Sequence, residues 1–120
     1  MVMNDFDLYL KEIGFTNQQL LDWMEYHDKY YLIEVESDVY YKAPSKIQGQ
    51  GIFANKCILK NEVIGEVIIN NKRTTLTRYM NHSVNPNVIF KIINNQTIGI
   101  ALKEIKKDKE LLVNYRHLDI

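Results

Sequence analysis

From Tyr31 onward the chain breaks into short apolar runs: YLIEVE, DVYYKA, GIFA, EVIGEVII, NVIFKII, TIGIALKE and ELLVNY. Each has the length of a strand, and Val, Ile and Tyr suit a pleated, half-buried surface. Turn-forming residues separate the runs: Ser37-Asp38, Gly49 and Gly51, Lys60-Asn61, Asn94-Asn95 and Lys107-Asp108. Gly, Asn and Asp tolerate the left-handed backbone that tight reversals need. Such a series predicts an antiparallel, mainly β architecture. Ahead of it, residues 5–13 place Phe6, Leu10 and Ile13 at helical spacing before Gly14, a natural helix stop. Thr16 with Gln19 then makes a capping box that opens a second helix toward residues 27–30. The expected class is α+β, with an amino-terminal helical segment over 1–31 packed on a β domain over 32–120. Residues 71–80 leave room for one short helical turn.

A chain of 120 residues suits one domain with its own core. Fifteen basic and fifteen acidic residues cancel, so no summed field draws the protein onto nucleic acid or an anionic membrane. The run over 103–109 is locally basic but interrupted by acids, which suits a solvated turn. The single cysteine, Cys57, excludes an intramolecular disulfide and any Cys-rich zinc site, and the three histidines lack ligand spacing. No metal is expected. No apolar run approaches the roughly 20 residues that span a bilayer, and no basic start leads into an apolar stretch. The expected compartment is cytoplasmic or nuclear.

Two polar stretches stand out. "RYMNHSVNPN" (78–87) gathers three asparagines, a histidine, a serine and a proline between apolar runs. Such residues build tight turns through side-chain bonds to main chain, yet the density of donors and acceptors also marks a site. "SKIQGQGIFA" (45–54) sets a Gly-x-Gly before an apolar strand. The glycines would serve a hairpin or let a ligand lie on bare backbone. Without a third glycine and following helix, or a Lys-Ser/Thr, the stretch is not a nucleotide-phosphate loop.

Taken in order, the Gly-x-Gly strand, "KNEVIGEVI", the Arg-aromatic-x-Asn-His-Ser-x-x-Pro-Asn loop and "KDKELLVNY" resemble the SET domain family of protein-lysine methyltransferases. The likeness runs from about Val39 to Tyr115. It implies a β-clip fold whose Asn-His segment threads past the closing strand in a carboxy-terminal pseudoknot. It implies S-adenosylmethionine as methyl donor and a protein or peptide lysine as acceptor. By that resemblance Tyr115 is the catalytic tyrosine, whose hydroxyl orients the methyl group and the attacking nitrogen. The side-chain carbonyl of Asn81 would accept from the donor's amino group, and the His82 main chain would bond the adenine. Gly49, Gln50, Gly51 and Ile52 would line the methionine moiety, Arg78 and Tyr79 would shape the wall, and Pro86 and Asn87 would fix the loop. A catalytically silent SET-like module that binds donor or peptide is the competing reading.

The sequence departs from the family at several points. Only residues 70–77 stand where most relatives insert a helix that shelves the peptide, and no cysteine cluster follows Tyr115. The amino-terminal helices are expected to cover that side. The tail, Tyr26, Tyr30, Tyr31 or a second subunit would close the lysine channel, which is compatible with a homodimer. Val113 stands where many relatives place a Phe or Tyr, and Asn114 and Arg116 replace the common Asp and Gly.

Overall fold

The computed structural model describes Glu12, Gly14, Thr16, Gln18, Gln19 and residues 32–117. Nine short strands and one short helix make up the described part: β1 (Leu32–Ile33), β2 (Tyr40–Pro44), β3 (Gln50–Ala54), β4 (Val63–Ile69), β5 (Lys72–Thr74), α1 (Thr75–Tyr79), β6 (Asn81–His82), β7 (Val88–Ile93), β8 (Gln96–Ala101) and β9 (Leu112–Val113). A 3₁₀ turn, Tyr115–His117, follows β9. The fold is mainly β, as the alternation of apolar runs and turns predicts. The helices expected over 5–13 and 16–30 lie almost wholly outside the described residues. Within the described ones, Thr16 and Gln19 do exchange the capping-box bonds: Thr16 N–H donates to Gln19 Oε1 at 2.9 Å and Gln19 N–H to Thr16 Oγ1 at 3.1 Å.

The largest sheet runs β1-β5-β4-β8-β7, while β2 pairs with β3 and β6 with β9. Asparagine makes the tight hairpins possible. Asn70 and Asn71 join β4 to β5, Asn94 and Asn95 join β7 to β8, and all four have φ between 52° and 63°. Two successive left-handed residues match the twist of the flanking strands, and Asn tolerates that backbone better than most residues.

The core gathers Ile52, Ala54, Ile58, Val67, Leu76 and Leu111, each 0% exposed. Leu76 of α1 seats against Gly65 and Gly99, which oppose each other in the β4–β8 ladder. Full burial of a leucine contributes about 1.5–3 kcal/mol. Thr74 Oγ1 donates to Glu66 O at 2.7 Å, and Thr77 Oγ1 donates to Val67 O. These hydroxyl bonds and Leu76 fix α1 on β4, and so fix where Met80 and Asn81 emerge. No helix among the described residues is long and apolar enough to cross a membrane.

Candidate functional site

The Asn-His segment and the closing strand lie side by side. β6 pairs parallel with β9, Asn81 opposite Leu112 and His82 opposite Val113. Asn87 holds the two together. Its Nδ2 donates to Glu110 O at 2.9 Å, its Oδ1 accepts from Leu112 N–H at 2.7 Å, and its own N–H donates to Leu112 O at 3.0 Å. One side chain thereby replaces a strand partner for β9, the loop-fixing task expected of it.

Asn81 is 5% exposed, and the nitrogen of its amide is fully committed. Nδ2 donates to Glu110 Oε2 at 2.9 Å and points at the carbonyls of Gln48 and Gln50 at 3.2 and 3.4 Å. All three neighbours only accept, which settles which end of the amide faces them. Oδ1 takes no hydrogen bond from any described residue, so the acceptor end is available on the other side.

Glu110 is the hub of this arrangement. Both carboxylate oxygens accept from Ser45 Oγ at 2.9 Å. The carboxylate also fills the space in front of Gly51: a Cβ there would meet Glu110 Oε2 at 2.5 Å and Ser45 Cβ at 3.0 Å. Gly51 is therefore bare to admit a carboxylate. Gly49 is the glycine with open space before it, and it takes a φ of 44° that side chains disfavour. Its carbonyl accepts from Ser45 N–H at 2.8 Å, closing the turn.

Tyr115 lies on the 3₁₀ turn, two residues past the end of β9. Its hydroxyl donates to Met80 O at 2.7 Å and its N–H to His82 Nδ1 at 3.0 Å. The two rings tilt together at 5.2 Å. His82, 1% exposed, thus accepts at Nδ1, while Arg116 Nη1 stands 3.3 Å from Nε2. Arg116 also grips Glu12 with two bonds, Nε to Oε2 at 2.9 Å and Nη2 to Oε1 at 2.8 Å. That hydrogen-bonded guanidinium holds the Glu12 carboxyl below its ordinary pKa. The phenol is therefore bound to the carbonyl that immediately precedes Asn81 in the chain.

The remaining expected residues sit around this point. Arg78 and Tyr79 lead into it from α1. The Tyr79 ring is flanked by two cations, Lys42 Nζ at 4.5 Å and Arg78 Cζ at 4.6 Å from its centroid. Gln50 offers its carbonyl to Asn81. Ile52 differs: its side chain is fully buried and its carbonyl accepts from Leu111 N–H at 2.7 Å, so it supports the site from the core. Sequence reasoning assigned no task to Glu110, Ser45 or Lys42. Glu110 stands in the stretch "KDKELLVNY", but a polar residue opening an apolar strand reads as solvated. A separate groove of about 200 Å³ is lined by Val35, Glu36, Ser37, Tyr40 and the middle of β4, and none of the expected site residues lines it. Among the described residues no group of three or more His, Cys, Asp or Glu side chains is placed to hold a metal ion.

The profile of the SET domain family matches residues 68–116, the span that carries α1, the Asn-His segment, the β7–β8 hairpin and Tyr115. A Plasmodium falciparum protein assigned as a histone methyltransferase superposes over 70% of this chain and 98% of its own, with 28% identity and a TM-score of 0.52. Residues 68–116 match the SET domain family, and the fold is similar to that of SET-domain histone methyltransferases. The SET fold is seen again in two more distant structures. The Chaetomium thermophilum polycomb repressive complex 2 matches over 67% of this chain at 20% identity and a TM-score of 0.54. A SET8 protein from Cryptosporidium matches over 63% of this chain and 56% of its own, at 20% identity and a TM-score of 0.50. The match spans only 15% of the length of the Chaetomium chain. None of the curated proteins matches the sequence.

Proposed function

We propose that this SET domain moves a methyl group from S-adenosylmethionine to the side-chain amine of a protein lysine. The observation that carries the reading is the pairing of a committed amide with an anchored phenol. Asn81 spends its nitrogen on three acceptors and keeps Oδ1 for an incoming donor, and the next carbonyl upstream, that of Met80, holds the hydroxyl of Tyr115. The residues present fit the donor: a nearly buried carbonyl oxygen suits an ammonium, and the Gly49 turn leaves open space beside backbone. When bound, S-adenosylmethionine supplies an electrophilic methyl group on a sulfonium.

The chain's own residues then have three tasks. Asn81 Oδ1 accepts from the donor's ammonium and fixes one end of it. Tyr115, fixed through His82 and Met80, offers its phenol oxygen where methyl and amine align, so orientation supplies much of the rate. An apolar, aromatic-walled channel would disfavour an ammonium, which matters because a lysine with an ordinary pKa near 10.4 has to lose its proton before it attacks. A histone-type substrate is in keeping with the Chaetomium complex, which is known in complex with trimethylated histone H3. The same reading makes residues 32–120 the SET domain and 1–31 a segment docked on it. The Glu12–Arg116 ion pair at 2.8 Å supports that docking.

Transfer of radiolabel from S-adenosylmethionine onto lysines of a protein mixture tests the assignment. The wild-type chain is expected to label, with Tyr115→Phe reduced at least a hundredfold and Asn81→Ala strongly impaired. Equal labelling by all three removes the site assignment. Donor binding without labelling by the wild type leaves the silent-module reading.

A further inference from the structure

We infer that Glu110 is a positioning residue that sets the affinity for the donor's α-amino group by orienting and polarising the Asn81 amide. The inference rests on the donor reading above, and it assigns a task to a residue outside the expected site. Of the three acceptors around Asn81 Nδ2, the Glu110 carboxylate is the closest, at 2.9 Å against 3.2 and 3.4 Å for the carbonyls. It is also the only charged one. A charge-assisted bond is about twice as strong as a neutral one. An anion on the N–H side of an amide draws density onto its oxygen, making Oδ1 a better acceptor for a cation.

The carboxylate is itself held. Ser45 Oγ contacts both oxygens at 2.9 Å, the absent side chain of Gly51 leaves it room, and Asn87 fixes the Glu110 backbone through its carbonyl. Three separated stretches of sequence therefore converge to keep one negative charge against one amide. The Gly-x-Gly motif has a part in this: its second glycine makes space for the group that aims Asn81.

The test compares binding of S-adenosylhomocysteine and its deaminated analogue, identical except for the α-amino group, by isothermal titration calorimetry on the full chain. Wild type is expected to prefer S-adenosylhomocysteine. In Glu110→Ala that preference falls roughly tenfold, the loss expected for a hydrogen bond to a charged group, while affinity for the deaminated analogue changes little. Glu110→Gln keeps an oxygen for Asn81 but not the charge, and falls between. Asn81→Ala loses the preference, and adding Glu110→Ala to it costs nothing more. Should Glu110→Ala not fold, Glu110→Asp, which withdraws the carboxylate by one methylene, is expected to lose the preference too. Equal weakening of both ligands, or independent effects in the double variant, overturns the assignment of Glu110 and leaves the donor reading standing. Failure of the wild type to bind either ligand overturns both.

Discussion

Substituting Gly51 by Ala adds one methyl group where a carboxylate already sits. The new Cβ would lie 2.5 Å from Glu110 Oε2 and 3.0 Å from Ser45 Cβ, so the carboxylate has to leave. Leaving breaks the 2.9 Å bond from Asn81 and disturbs those from Ser45. Hydrogen bonds to a charged group contribute about 1.5–3 kcal/mol each, and the half-buried Glu110 recovers part of this from water. Relief of glycine's unfolded-state entropy returns about 0.4–1 kcal/mol. The net cost is about 2 kcal/mol, or roughly 8 °C of melting temperature for a domain of this size. Differential scanning calorimetry reads it directly. The double variant Gly51→Ala, Glu110→Ala has no carboxylate to displace, so its loss is expected to be smaller than the sum of the two singles. A Gly51→Ala protein as stable as wild type, or strictly additive losses, would refute the argument that the glycine exists to admit Glu110.

Asn87→Ala removes two side-chain bonds that tie the Pro-Asn loop to β9 and is expected to cost about 2–3 kcal/mol in urea denaturation; a change under 0.5 kcal/mol would show that the β6–β9 crossing does not depend on it. Alkaline pH should also destabilise the fold. Burial pushes the phenol of Tyr40 above its ordinary value of 10.0, and a hydrogen bond to Asp108 does the same for Tyr41. The folded state favours the protonated phenol, so this stability is present below the ordinary value and is lost as pH rises through the raised one. Thermal unfolding between pH 8 and 11 should show a shallower decline in Tyr40→Phe than in wild type.

Local chemistry decided what could be read from the sequence. The hairpins were legible because Asn94-Asn95 writes its turn in the chain, and the short helical turn before Asn81 was bounded correctly by its few available residues. β5 escaped notice because three residues carry no period, although Asn70-Asn71 marks its turn just as Asn94-Asn95 does. The parallel pairing of Asn81–His82 with Leu112–Val113 has no local signature at all, since contact between segments some thirty residues apart depends on the whole fold. Resemblance to a family supplied that pairing, and the Tyr115 hydroxyl bonds to the Met80 carbonyl that precedes Asn81. Glu110 was hidden for a related reason. Its worth depends on Ser45, Gly51 and Asn81, each distant in sequence. The expected amino-terminal helices fall on residues outside the described ones, save for Glu12 and the Thr16–Gln19 capping bonds.

A crystal structure of the chain with S-adenosylhomocysteine tests the central claim most directly. The ligand's amino nitrogen is expected within hydrogen-bond distance of Asn81 Oδ1, with its sulfur on the side of the crossing that faces the Tyr115 hydroxyl. A ligand seated instead in the groove of Val35, Tyr40 and β4, or Asn81 turned so that its nitrogen faces the ligand, would contradict it.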